Sequence, residues 1–126
     1  MLTNAPVTTM LPVVDLDRAR HFYEDRLGLR PLGSAPDGKF MYACGGATLA
    51  LFPKSGGTKA EHTAMSFEVD DIVSEIAELE SRGVVFEDYD LPGLRTEAHV
   101  CVLGSEKAAW FKDTEGNYLC LHQSLA

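Results

Sequence analysis

Residues 108–123, AAWFKDTEGNYLCLHQ, read as two β-strands joined by a tight acidic turn. Ala109, Trp110, Phe111 and Lys112 make the first arm, which is rich in strand-forming aromatics. Asp113-Thr114-Glu115-Gly116-Asn117 makes the turn, because Gly116 takes a positive φ freely and Asn117 tolerates one. These acidic residues lack the longer ligand sequence of a calcium loop, so they are turn chemistry. The second arm runs from Tyr118 to His122. Alternation along a strand puts Tyr118, Cys120 and His122 on one face and Leu119 and Leu121 on the other. The leucine face is expected to be core. The Tyr-Cys-His face is expected to wall a ligand site.

Working outward, the same grammar occurs twice. Thr8–Val14 is an expected strand, with Pro12 pointing to an edge position or a bulge. Asp15 is a suitable N-cap for a helix over Leu16–Leu27, whose apolar face is Leu16, Ala19, Phe22, Tyr23 and Leu27, and Gly28 closes it. Strands are expected at Arg30–Ser34, Phe40–Cys44 and Thr48–Phe52, followed by a Gly/Ser-rich loop. Then the order repeats. His62–Val69 alternates as a strand, and Asp70 or Asp71 caps a helix over Ile72–Arg82 with Ile72, Val73, Ile76, Ala77 and Leu79 as its buried face. Strands are expected at Val84–Asp88 and Ala98–Val102 before the closing hairpin. Two βαβββ modules follow, about 6–53 and 61–124, with a linker over 54–60. One such unit cannot cover both faces of its sheet. The expected fold is therefore α+β, two modules forming a curved mixed sheet around a cavity with the helices outside.

The chain length of 126 residues suits a single domain. A net charge of −8 repels phosphate backbones and anionic headgroups, so neither nucleic acid nor a membrane surface is an expected partner. The first residues have no early positive charge and an apolar stretch broken by two prolines, unlike a signal peptide or a span. Cys44, Cys101 and Cys120 are odd in number and sit in apolar runs, which points to free thiols in a reducing cytoplasm.

Three stretches carry a family resemblance: VVDLDRARHFYEDRLGL at residues 13–29, FEVDDI at 67–72 and AWFKDTEGNYLCL at 109–121. They resemble the vicinal oxygen chelate superfamily, also called the glyoxalase/bleomycin-resistance/dioxygenase fold. The resemblance implies paired βαβββ modules, often a homodimer, and in many members a divalent metal on the concave sheet face. The metal positions it implies fall at Thr8, Ala64, Cys120 and near Leu51 or Phe52. One hydroxyl and one thiol among apolar side chains do not make a site for a divalent metal of this type.

The cavity candidates are Thr8, His62, Ala64, Ser66, Glu68, Trp110, Tyr118, Cys120 and His122. His62, Ser66 and Glu68 are expected to share the face of Ala64. A displaced metal site drawn from His62, Glu68, Cys120 and His122 is one reading of these groups; polar lining of a solvated cavity is the other. Cys120 is read as a buried, inert thiol, since two residues along a strand put it about 6.5–7 Å from His122. The chain is thus expected to bind a small organic molecule without a metal or other cofactor. The alternative is a metal-dependent lyase, isomerase or dioxygenase with an altered metal site.

Overall fold

The computed structural model describes residues 1–126. It divides into two compact units, Met1–Lys59 with Thr114–Gly116, and Ala60–Asp113 with Asn117–Ala126. The α+β class holds, with the strands in two four-stranded mixed sheets and a separate two-stranded ribbon. No helix is long and apolar enough to cross a membrane.

In the first unit, β1 (Thr8–Val13) leads into α1 (Leu16–His21), then β2 (Arg30–Ser34), β3 (Phe40–Cys44) and β4 (Ala47–Pro53). The sheet order is β1-β4-β3-β2; β1 runs parallel to β4 and the other pairs are antiparallel. Pro12 lies on an edge strand, where its missing N–H breaks no inner ladder. Asp15 caps α1 by accepting from the Arg18 amide. The helix does not stay α-helical to Leu27 as expected. Phe22–Arg26 form a π-helical turn, closed by a 3.1 Å bond from Leu27 N to Phe22 O. Consecutive Phe22 and Tyr23 are both buried there, and Tyr23 stacks on Tyr42 at 6.2 Å. The Tyr42 hydroxyl, in the apolar core, donates to Glu24 at 2.7 Å, so the group a buried tyrosine needs is supplied by the same helix.

The acidic turn has a structural role that its own sequence does not announce. The Glu115 side chain is fully buried. Its Oε1 accepts from the amides of Val14 at 2.9 Å and Asp15 at 3.0 Å, and Arg18 donates to both carboxylate oxygens. Thr114 Oγ1 adds a fifth donor at 2.7 Å. Burial alone disfavours the charge, but these donors outweigh it and hold the carboxyl at about 2, well below its ordinary 4.5. The loop over 54–60 lies beside it. Gly57 is buried at φ +57°, and a Cβ there would stand 2.8 Å from Val14 Cγ2.

In the second unit, β5 (Thr63–Glu68) precedes α2 (Ile72–Ser81), and Asp71 is its cap. A ribbon, β6 (Asp90–Leu91) and β7 (Leu94–Arg95), is followed by β8 (Cys101–Leu103), β9 (Glu106–Lys112) and β10 (Tyr118–Ser124). The sheet order β5-β10-β9-β8, with β5 parallel to β10, repeats the first sheet's topology. Leu119, Leu121 and Phe111 are buried on the face that receives Ile72, Ile76 and Leu79. Gln123 shares that face and accepts from the Ile72 amide at 2.9 Å.

Three expectations of this unit are corrected. Val84–Asp88 is not a strand; it contributes one bridge, Phe86 to Phe111, on the stretch of the β9 edge that β8 leaves open. The strand expected at Ala98–Val102 is displaced to Cys101–Leu103. Ala98 and His99 take φ of 49° and 73°, which no ladder accommodates, and pairing with β9 starts only at Cys101. On α2, Val73 and Ala77 are exposed rather than buried, because the ten-residue helix packs on β9 and β10 and leaves β8 uncovered.

Candidate functional site

Pairing register gives the face of the second sheet that lies opposite α2. Trp110 is the ladder partner of Cys120, Lys112 of Tyr118, and Ala108 of His122. On the other side of β10, Cys120 pairs with Ser66 and His122 with Glu68. Tyr118, Cys120, His122, Ser66, Glu68 and Trp110 therefore share one face, as strand alternation requires. Thr8 lies in the first unit, exposed on β1 beside Thr48.

Two of the expected residues stand elsewhere. His62 lies at an exposed bend before β5, so it is not part of the ladder. Ala64 falls at a register shift: Thr63 pairs with Tyr118 and Met65 with Leu119, which leaves Ala64 without a partner. Thr63 takes the place beside Tyr118 that a regular strand assigns to Ala64. Its hydroxyl accepts from Trp110 Nε1 at 3.0 Å. The indole therefore reaches from β9 past β10 to β5, beside Cys120. That position accounts for Cys120 being only 6% exposed on a face with no helix over it.

Burial raises the Cys120 thiol above its ordinary value, so it stays protonated at neutral pH, and its Sγ donates to Leu121 O. A protonated buried thiol is a poor nucleophile. Ser66 Oγ lies in hydrogen-bond contact with His122 Nδ1, and His122 Nε2 is 3.7 Å from Glu68 Oε1. Ser66, His122 and Glu68 form one polar row, whereas Trp110 and Tyr118 form the apolar part.

Two groups outside the expected set complete this face. Tyr89 meets the Trp110 ring edge-on, with centroids 5.7 Å apart at 76°. Lys112 Nζ stands 4.9 Å above the Tyr118 ring. Tyr89 belongs to an irregular connection with no periodicity, so alternation could not place it. Thr63 was hidden by the register shift. Lys112 was legible as the residue opposite Tyr118 across the acidic turn.

A family model described as the glyoxalase/bleomycin resistance protein/dioxygenase superfamily matches residues 6–121. The chain belongs to that superfamily. Solved structures agree on the fold. An antibiotic binding protein from Streptomyces sp. CB03234 is 24% identical, with a TM-score of 0.68 over 98% of each chain. A superfamily member from Sphaerobacter thermophilus is 21% identical, with a TM-score of 0.75 over 98% of this chain and 100% of that one. A fosfomycin resistance protein from Listeria monocytogenes, complexed with Mn(II) and 1S,2S-dihydroxypropylphosphonic acid, is 15% identical, with a TM-score of 0.70 over 97% and 90%. No curated protein sequence matches.

The metal positions that superfamily membership suggests can be tested on donor chemistry. Thr8 offers a neutral hydroxyl, Ala64 nothing, Cys120 a single buried thiol, and Leu51 and Phe52 are hydrocarbon. These side chains do not fit a divalent cation, which needs several anionic or imidazole donors. The displaced set fares no better. His62 is outside the strand and Cys120 is turned to a carbonyl, so only Glu68 and His122 approach each other.

Proposed function

We propose that this superfamily member binds a small apolar or aromatic organic molecule and needs no metal to do so. The observation that carries the reading is the Trp110 indole, held across the sheet by Thr63 and flanked by Tyr89. An anchored aromatic plane with a short polar row beside it is the usual make-up of a small-molecule site. Ser66 and His122 supply one hydroxyl and one imidazole for orientation. The relative from Streptomyces that is an antibiotic binding protein supports the same class of ligand. The unfilled metal positions support binding without a cation. Trp110 is the chain's only tryptophan, so its fluorescence reports on this face alone. Titration with a panel of flat aromatic compounds, with and without EDTA, is expected to give saturable quenching unchanged by the chelator. Quenching that requires added Mn, Ni, Zn or Fe would reverse the reading.

The metal-dependent alternative rests on Glu68 and His122, which stand 3.7 Å apart and could share a cation, and on the Mn(II)-bound fosfomycin resistance relative. It requires His122→Ala to abolish metal uptake. Three free cysteines support a reducing, cytoplasmic setting. The homodimer common in this superfamily is part of the proposal, and sedimentation equilibrium tests it.

A further inference from the structure

The opposite, helix-side surface of the second unit holds a groove of about 670 Å³ that the proposed function does not use. Its origin is the short helix. α2 covers β9 and β10, while β8 has its helix-side residue, Val102, uncovered and 62% exposed. Val73, on the helix face that spacing assigns to the core, is also 62% exposed and faces the same groove. With Ile76 and Val100 they make a hydrocarbon floor.

The rim carries the charge. Lys107 is the ladder partner of Val102 and lines the groove half-buried. It forms no ion pair, only a longer-range attraction to Asp71, although the chain carries a net charge of −8 and Arg82, Arg95 and Lys112, the other lysine and arginines of this unit, each have a carboxylate within 4 Å. Arg95, the second cation on the rim, is held only loosely by Asp90 at 3.5 Å. Of the acidic rim groups, Glu97 is exposed and Glu80 stands 3.4 Å from His99 Nε2.

The wall beside it is strained. Ala98 and His99 are the chain's only non-glycine residues at positive φ, and they are consecutive. Backbone of this kind is unfavourable for residues with a side chain and clusters at binding sites. It is held by the His99 amide donating to Asp88 Oδ1 and by the Glu97–Val100 bridge. The His99 ring is thereby set into the groove wall. Its buried Nδ1 lies 3.0 Å from Asp88 Oδ2 at an angle that makes no hydrogen bond.

We propose that this groove is a second binding site, for a small molecule with an apolar body and one carboxylate. The body lies on Val73, Ile76 and Val102, and the carboxylate meets the unpaired ammonium of Lys107. Charge complementarity selects the occupant: an anion is the partner a half-buried lysine lacks, and the valines give its hydrocarbon a dry surface.

The test is an amide chemical-shift titration of the full chain with sodium octanoate and with uncharged octanamide. Octanoate is expected to shift Val73, Ile76, His99 and Val102 saturably, and to bind more tightly than octanamide. Lys107→Met keeps the apolar stem and should weaken octanoate about 10-fold, the size of one charge-assisted hydrogen bond, while leaving octanamide unchanged. Val102→Glu, at an exposed position, should abolish both. The proposal is overturned if millimolar octanoate leaves these amides unmoved, if the shifts fall instead around Trp110 and Tyr118, or if Lys107→Met binds octanoate like the wild type. The Trp110 face and this groove lie on opposite sides of the sheet, so either site can fail without the other.

Discussion

Replacing Glu115 with glutamine removes one charge from a fully buried site and leaves its shape. The consequence can be worked from the five donors around the carboxylate. Gln Oε1 can still accept from Val14 N and Asp15 N. Its NH2 group then faces Arg18 Nε, which is left without an acceptor, while the Thr114 hydroxyl must turn from donor to acceptor. Lowering a carboxyl from 4.5 to about 2 corresponds to about 3 kcal/mol of folded-state stabilisation. Arg18 is half exposed, so salt screens part of this, and ~2–3 kcal/mol is the working figure. The sign follows from linkage. A carboxyl whose folded value is depressed stabilises the fold above its unfolded value, and that stability drains away as pH falls toward the folded value. Wild type should therefore exceed Glu115→Gln by ~2–3 kcal/mol at neutral pH, about 10 °C in Tm for a chain of this size. More than half of that gap should be gone by about pH 3. Urea unfolding of both proteins across this range measures it. Curves that stay parallel from neutral pH to acid would show that the charge of Glu115 contributes nothing.

Gly57→Ala forces a side chain into a left-handed conformation and against Val14, so it should cost at least about 1 kcal/mol in urea unfolding; an unchanged midpoint would show that the 54–60 loop is loose. Tyr42→Phe removes a hydroxyl bonded to a carboxylate in the core and should cost roughly 1.5–3 kcal/mol, again by denaturation. Among the thiols, Cys101 and Cys120 should react with iodoacetamide much more slowly than partly exposed Cys44, and peptide mass mapping ranks them. Thr63→Val frees the indole N–H of Trp110 and should shift its emission and weaken ligand quenching, whereas an unaltered titration would remove the anchored indole from the account.

Local periodicity made much of this fold readable. Asp15 and Asp71 cap their helices, the hairpin arms present the expected faces, and the repeated strand–helix–strand order becomes two sheets of identical topology. What stayed hidden depends on partners distant in sequence. Glu115 looked like turn chemistry, because its partners Val14 and Asp15 lie about a hundred residues away. The register shift at Ala64 moves Thr63 into the site, and nothing in HTAMSFEV announces it. Val73 lies on the apolar stripe of its helix, yet whether that stripe is covered depends on which strands lie beneath. The π-helical turn over Phe22–Arg26 and the left-handed pair Ala98–His99 have no local signal in their residue types.

Native mass spectrometry of the chain, purified without chelator, tests metal-free binding most directly. The polypeptide is predicted to carry an organic adduct that survives EDTA. A stoichiometric Zn, Ni, Mn or Fe adduct that disappears in His122→Ala would contradict it.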